Sequence, residues 1–154
     1  MRTIKQGANT GDCVAAVIAM ITAQSIKYVH SYFRRNGDCG FTDMEAAKYL
    51  LEHGYILGGV GCHGESINIK TMKADLGILD LSETFGYVIV KSKFYKHSTH
   101  AVLYDPRIKM IRDPSPETPA RTELSAYKIK EWFPVSVGDF KPPTKHINTM
   151  EKIK

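Results

Sequence analysis

Apolar residues in the first third of the chain recur with the period of a helix. Val14, Val17, Ile18 and Ile21 fall at i, i+3, i+4 and i+7, which predicts a buried helix opening at Asp12 or Cys13 and capped by Asp12 or Thr10. Ser25 is a capping residue for a second helix through Tyr28, Val29, Tyr32 and Phe33 that stops near Gly37. Thr42-Asp43-Met44-Glu45 has the capping-box pattern. It opens a third helix carrying Met44, Ala47, Tyr49, Leu50 and Leu51 and ending at Gly54. Tyr55 to Val60 reads as a short strand running into the glycines 58, 59 and 61, and Ser66 to Leu76 as a further short helix.

The period then changes. Gly86 to Val90, His100 to Tyr104, Lys109 to Arg112 and Phe133 to Val137 are short runs rich in β-branched and aromatic residues, bounded by Pro, Gly or charged turns. Helices first and an antiparallel sheet after is the α+β class. Residues 1–140 form one domain in this reading, and the Pro/Lys-rich stretch 141–154 is a frayed basic tail.

At 154 residues and 43% hydrophobic content the chain is large enough to bury a core without staples. Cys13, Cys39 and Cys62 are odd in number and form no CxxC pair, which fits a reducing compartment and reduced, structural thiols at 39 and 62. Cys62-His63 with Cys39 matches no structural zinc spacing. The start of the chain is too polar for a secretory h-region, and the longest apolar run, Val14 to Ile21, is far short of a membrane span. The expectation is a cytoplasmic protein that binds no membrane. A net charge of +5 argues weakly for an acidic partner, and no nucleic-acid-binding motif accompanies it.

The chemistry concentrates at three residues. Cys13 sits where a loop of small and capping residues meets an apolar helix. Unpaired first-turn N–H groups and the positive end of the helix dipole favour its thiolate there. Asp105-Pro106-Arg107-Ile108 is a turn sequence. With a two-residue loop, Asp105 faces Ile108 and, counting outward, His100 faces Asp113; a four-residue loop makes the latter two diagonal but leaves them on one face. Asp113 can then fix the imidazole tautomer and stabilise the imidazolium. Asp105 is the rival acid, though its Asp-Pro context is first a turn signal.

The order of a cysteine opening a central helix, a histidine opening a strand and Asp-Pro closing the next strand resembles the papain-like cysteine peptidases. It is most similar to the C39 peptidase-like branch, known from the leader-processing domains of bacteriocin exporters. Asp12 to Ile21 resembles that family's acidic-Cys-x-x-Ala helix, and Leu124 to Trp132 its late helix ending in Trp before a final strand. The resemblance covers most of residues 6–137 but little of 55–85.

It implies a papain-like α+β fold with the nucleophile helix packed on the C-terminal sheet, and a peptide or protein substrate without metal or organic cofactor. Cys13 would be the nucleophile, His100 the base and then the acid, Asp113 the orienting residue, and Gln6 the oxyanion donor. Gln6 lies seven positions before Cys13 where the family has six, and Asn9 is the weaker substitute. Trp132 reads as a core or sheet-edge anchor. His30, His53, His63, His97 and His146 take solvated or structural roles. Two alternatives stand beside peptide hydrolysis. One is the same triad used for deamidation, transglutamination or isopeptide cleavage; the other is a catalytically silent domain that binds a protein partner.

Overall fold

The computed structural model describes residues 1–8, 10–35, 40–58, 62–74 and 79–138. Among the described residues three helices lead: α1 (Cys13–Thr22), α2 (Ile26–Tyr32) and α3 (Asp43–Glu52). Eight strands follow: β1 (Tyr55–Leu57), β2 (Cys62–His63), β3 (Lys73–Ala74), β4 (Leu79–Asp80), β5 (Phe85–Lys91), β6 (Thr99–Asp105), β7 (Met110–Arg112) and β8 (Ile129–Val137). The α+β class holds. The main sheet is antiparallel in the order β1-β8-β5-β6-β7, with β2 pairing a second stretch of β8, while β3 and β4 form a separate two-stranded ribbon.

The helix starts follow their local chemistry. Ser25 Oγ accepts from the Tyr28 N–H, and Thr42 and Glu45 form the reciprocal capping box. In α3, however, Met44 and Leu51 face outward and Ala46, Tyr49 and Leu50 are buried. In α1 every residue from Val14 to Ile21 is buried, not only the predicted stripe. Ala15, Ala16 and Ala19 are small enough for neighbours to pack closely on the remaining faces. Burial of Val14, Val17, Ile18 and Ile21 contributes about 1.5–3 kcal/mol each, so α1 is the rigid axis of the helical half.

The sheet buries both faces. Tyr87, Ala101, Leu103 and Val135 pack with the three helices in one cluster. Val88, Val102, Tyr104, Ile111 and Trp132 pack on the other side with Leu81, Leu124 and Tyr127. Gly86 makes that second layer possible, because a Cβ there would lie 2.5 Å from the Trp132 indole.

Two expected helices are absent. Within 66–74, inside the predicted 66–76 segment, the chain makes a 3-10 turn ending at Ser66, a bridge from Asn68 to Lys73 and then β3; residues 75–76 lie outside the described residues. The stretch 124–132 is one 3-10 turn, Leu124–Ala126, followed by β8 from Ile129. Trp132 is thus a fully buried strand residue in the sheet interior, not the end of a helix or an edge anchor. Pairing with both β5 and β2 satisfies the backbone there better than an isolated short helix would.

The β6–β7 hairpin has the longer of the two loops considered. Asp105 pairs with Met110, so Pro106 to Lys109 form a four-residue loop, closed by Lys109 in the left-handed region at φ 54°. Cys39 and the tail 141–154 lie outside the described residues.

Candidate active site

Cys13 is the first residue of α1 and is partly buried. Neither predicted cap forms: the Thr10 hydroxyl donates to the Gly7 carbonyl, and Asp12 makes no side-chain capping bond. Asp12 instead turns to His30, with Oδ1 2.9 Å from Nε2, without forming a well-directed hydrogen bond to the ring. His30 is therefore buried and structural. The Val14 N–H, left without a capping side chain, is among the groups that favour a thiolate at Cys13.

The sheet supplies the rest. Because β7 pairs only with Leu103 to Asp105, the outer edge of β6 is free of a strand partner at its beginning, where the Ala101 N–H is among the groups that favour a thiolate at Cys13. His100 precedes it. Its Nε2 donates to Asp113 Oδ1 at 2.7 Å, across the diagonal that the four-residue loop dictates. Nδ1 remains on the Cys13 side, and each group favours the charged form of the other.

Asp113 is 1% exposed and well supplied with donors. The Ser115 N–H shares Oδ1 at 2.8 Å, and the Tyr127 hydroxyl donates to Oδ2 at 2.5 Å. Burial alone would push this carboxyl up, but His100, Tyr127 and Ser115 together hold it below its ordinary value. Burial likewise opposes the charge on His100, yet the bonds to Asp113 and Cys13 prevail and raise it to about 9. For Cys13, burial pushes the thiol up while His100 and the Ala101 and Val14 N–H groups bring it below its ordinary value. Both shifts run in the direction that favours a thiolate at Cys13 and an imidazolium at His100, with Asp113 fixing the ring.

These side chains open into a groove of about 660 Å³, which Gln6 also lines. The Gln6 backbone N–H donates to the Pro114 carbonyl at 2.8 Å, and Lys5 donates to the carbonyls of Asp113, Ser115 and Thr118 at 2.7–2.8 Å. The N-terminal segment is thereby tied to the turn that carries Asp113. The Thr10 N–H donates to the Gly7 carbonyl at 3.4 Å. Gln6 Nε2 donates one N–H to the Thr10 carbonyl at 3.2 Å and keeps a second, while Oε1 is buried without a partner. Asn9 lies outside the described residues.

No protein-family model matches the chain, and no curated protein matches it.

Asp105 does not orient His100, because its carboxylate is taken by other partners. Fully buried, it accepts from Arg107 Nε and Nη2 at 2.9 and 2.8 Å and from Arg112 Nε at 2.8 Å. It clasps the hairpin. Among the described residues no group of three His, Cys, Asp or Glu side chains is placed to hold a metal ion, and no single helix is long and apolar enough to cross a membrane. Lys5 and Tyr127 are the participants that spacing did not reveal. Both act over more than ten residues of sequence separation, and Tyr127 lies in the stretch 124–132, where the expected helix does not form.

Proposed function

We propose that the chain is a papain-like, C39-like cysteine peptidase of the cytoplasm that cleaves a peptide or amide bond of a peptide or protein substrate through a thioester. The observation that carries this reading is the fixed imidazole: Nε2 is held by a buried carboxylate, leaving Nδ1 to the thiol at the mouth of a groove. A histidine serving only structure has no need of that arrangement.

In this mechanism the Cys13 thiolate attacks the carbonyl carbon. The oxyanion is received by the Cys13 N–H and by the spare N–H of Gln6. The His100 imidazolium passes its proton to the leaving amine as the C–N bond breaks, giving a thioester and a neutral imidazole. His100 then takes a proton from water, the hydroxide attacks the thioester, and the acid is released with the thiolate restored. Asp113 holds the ring orientation throughout.

Gln6 favours a second reading. One of its N–H groups is committed to Thr10, and its Oε1 has no partner, as expected of a domain that keeps the fold but binds a protein partner without turnover. Incubating the full chain with peptide, isopeptide and glutamine-amide substrates separates the two. Turnover that vanishes in Cys13→Ala, with an acyl adduct on Cys13 in the wild type, supports the hydrolase; no turnover on any of them supports the binding domain.

A further inference from the structure

One wall of the groove carries charge and apolar surface that the triad does not use. The loop joining β5 to β6 contains Lys93, whose Nζ lies 4.0 Å from the centre of the Tyr127 ring, the same ring whose hydroxyl holds Asp113. The ammonium is thus placed beside the triad by a π face. Among the described residues no carboxylate forms an ion pair with Lys91, Lys93 or Lys96.

The next two residues, Phe94 and Tyr95, are 54% and 61% exposed. Their exposure is built in. Ser92 Oγ accepts the N–H groups of both, at 3.2 and 3.1 Å, and Ser92 N–H closes the loop on the Ser98 carbonyl at 3.0 Å. Glu117 also lines the groove and accepts from the Ser115 hydroxyl at 2.7 Å. It belongs to the 115–117 turn rather than to this loop.

We propose that the β5–β6 loop reads the substrate, with Lys93 receiving a substrate carboxylate and Phe94 and Tyr95 receiving an adjacent apolar side chain. The inference rests on the hydrolase reading for the meaning of "substrate", but the carboxylate site itself does not depend on turnover. An ammonium held over an aromatic ring keeps its N–H donors for an incoming oxygen, and two ordered, solvent-facing rings beside it gain from being covered. The carboxylate is either an acidic side chain or a free C-terminus, and the chemistry of recognition is the same.

Site-resolved alkylation tests this on the full chain. Cys13 is treated with iodoacetate, an anion, and with iodoacetamide, its neutral analogue, and the ratio of the two rates cancels changes in thiolate content. Lys93→Gln is expected to lower that ratio three- to tenfold and Lys93→Arg to preserve it, as befits one partly exposed charge contact. An unchanged ratio in Lys93→Gln overturns the proposal even where Cys13 is hyperreactive. Conversely, a Cys13 no more reactive than Cys39 and Cys62 counts against the hydrolase while the ratio still decides the carboxylate site.

Protection of Cys13 from iodoacetamide by three N-acetylated dipeptides then identifies the source. Acetyl-Phe-Glu-amide protecting best assigns a side-chain carboxylate, and acetyl-Phe-Ala with a free carboxyl assigns a C-terminus. Protection that is equal for neutral acetyl-Phe-Ala-amide, or that survives Phe94→Ser and Tyr95→Ser together, overturns the reading of the loop.

Discussion

Tyr127 donates its hydroxyl to Asp113 Oδ2 at 2.5 Å, on the carboxylate oxygen that His100 leaves free. The contact links the layer below the sheet to the triad, since Tyr127 packs with Trp132 and Ile111 in the second core cluster. Orientation of His100 therefore depends also on Tyr127 and the second core cluster it packs in.

Tyr127→Phe keeps the ring and removes the donor. A buried carboxylate oxygen left unsatisfied costs about 1–3 kcal/mol, so the urea midpoint should fall at pH 7. Asp113 is held below its ordinary value in the wild type, so its contribution to stability is present above the unfolded carboxyl value and is lost as pH falls through the folded one. Without Tyr127 the folded value rises, and acid unfolding should begin at higher pH. Equal urea midpoints for variant and wild type at both pH 7 and pH 4 would show that the contact contributes nothing.

The charge state of the pair predicts its pH behaviour. Cys13 is lowered and His100 is raised to about 9, so the ion pair persists between the two values. Iodoacetamide should modify Cys13 at pH 6 much faster than an ordinary thiol, and His100→Gln should remove that advantage. Turnover should decline as pH rises through about 9, where the imidazolium loses the proton it gives to the leaving amine. The stability that His100 contributes follows the same direction: full below about 6.5, lost as pH rises through about 9. A Cys13 rate that tracks Cys62 across the whole range would remove the basis for activation.

Asp105 and Asp113 should separate cleanly by mutation. Asp105 is lowered to about 2: burial opposes its charge, but the guanidinium groups of Arg107 and Arg112 outweigh that. Its stabilisation, about 2 kcal/mol, is present above about pH 4 and disappears as pH falls through about 2. Asp105→Asn leaves Arg112, 3% exposed, without its charged partner and should cost about 3–5 kcal/mol in denaturant unfolding. The part that remains folded should keep rapid Cys13 alkylation. Asp113→Asn should do the reverse in turnover, lowering kcat while leaving more residual rate than Cys13→Ala, because the carboxylate orients and does not react.

What was legible in the chain was what local chemistry decides. The capping box at Thr42 and the cap at Ser25 are complete within four residues, and both form. His100 and Asp113 were recoverable because a hairpin converts sequence distance into spatial distance. A loop of four residues shifted the pair from opposite to diagonal without moving either to the other face. The stretch 124–132 failed for the opposite reason: Ile129 to Val137 becomes a strand because β5 and β2 flank it, partners separated from it by about 40–70 residues. Asp12 was an eligible cap by type, but His30, brought over by α2, competes for its carboxylate.

Gln6 is the residue whose removal says most. It lines the groove with Cys13, is anchored through its own N–H to Pro114, and lies beside Lys5, which binds three carbonyls of the 113–118 turn. Its backbone position is thus set independently of its side chain, so Gln6→Ala should fold normally. If the spare Nε2 hydrogen meets the oxyanion, kcat should fall about 10²–10³-fold with little change in KM, because the developing charge exists only in the transition state. Lys5→Met should act on the same step less directly, loosening the segment and lowering kcat while Cys13 alkylation by iodoacetamide stays fast. A Gln6→Ala enzyme with undiminished kcat would transfer the oxyanion role to the Cys13 N–H alone, and the orphaned Oε1 would then be a feature of packing rather than of catalysis.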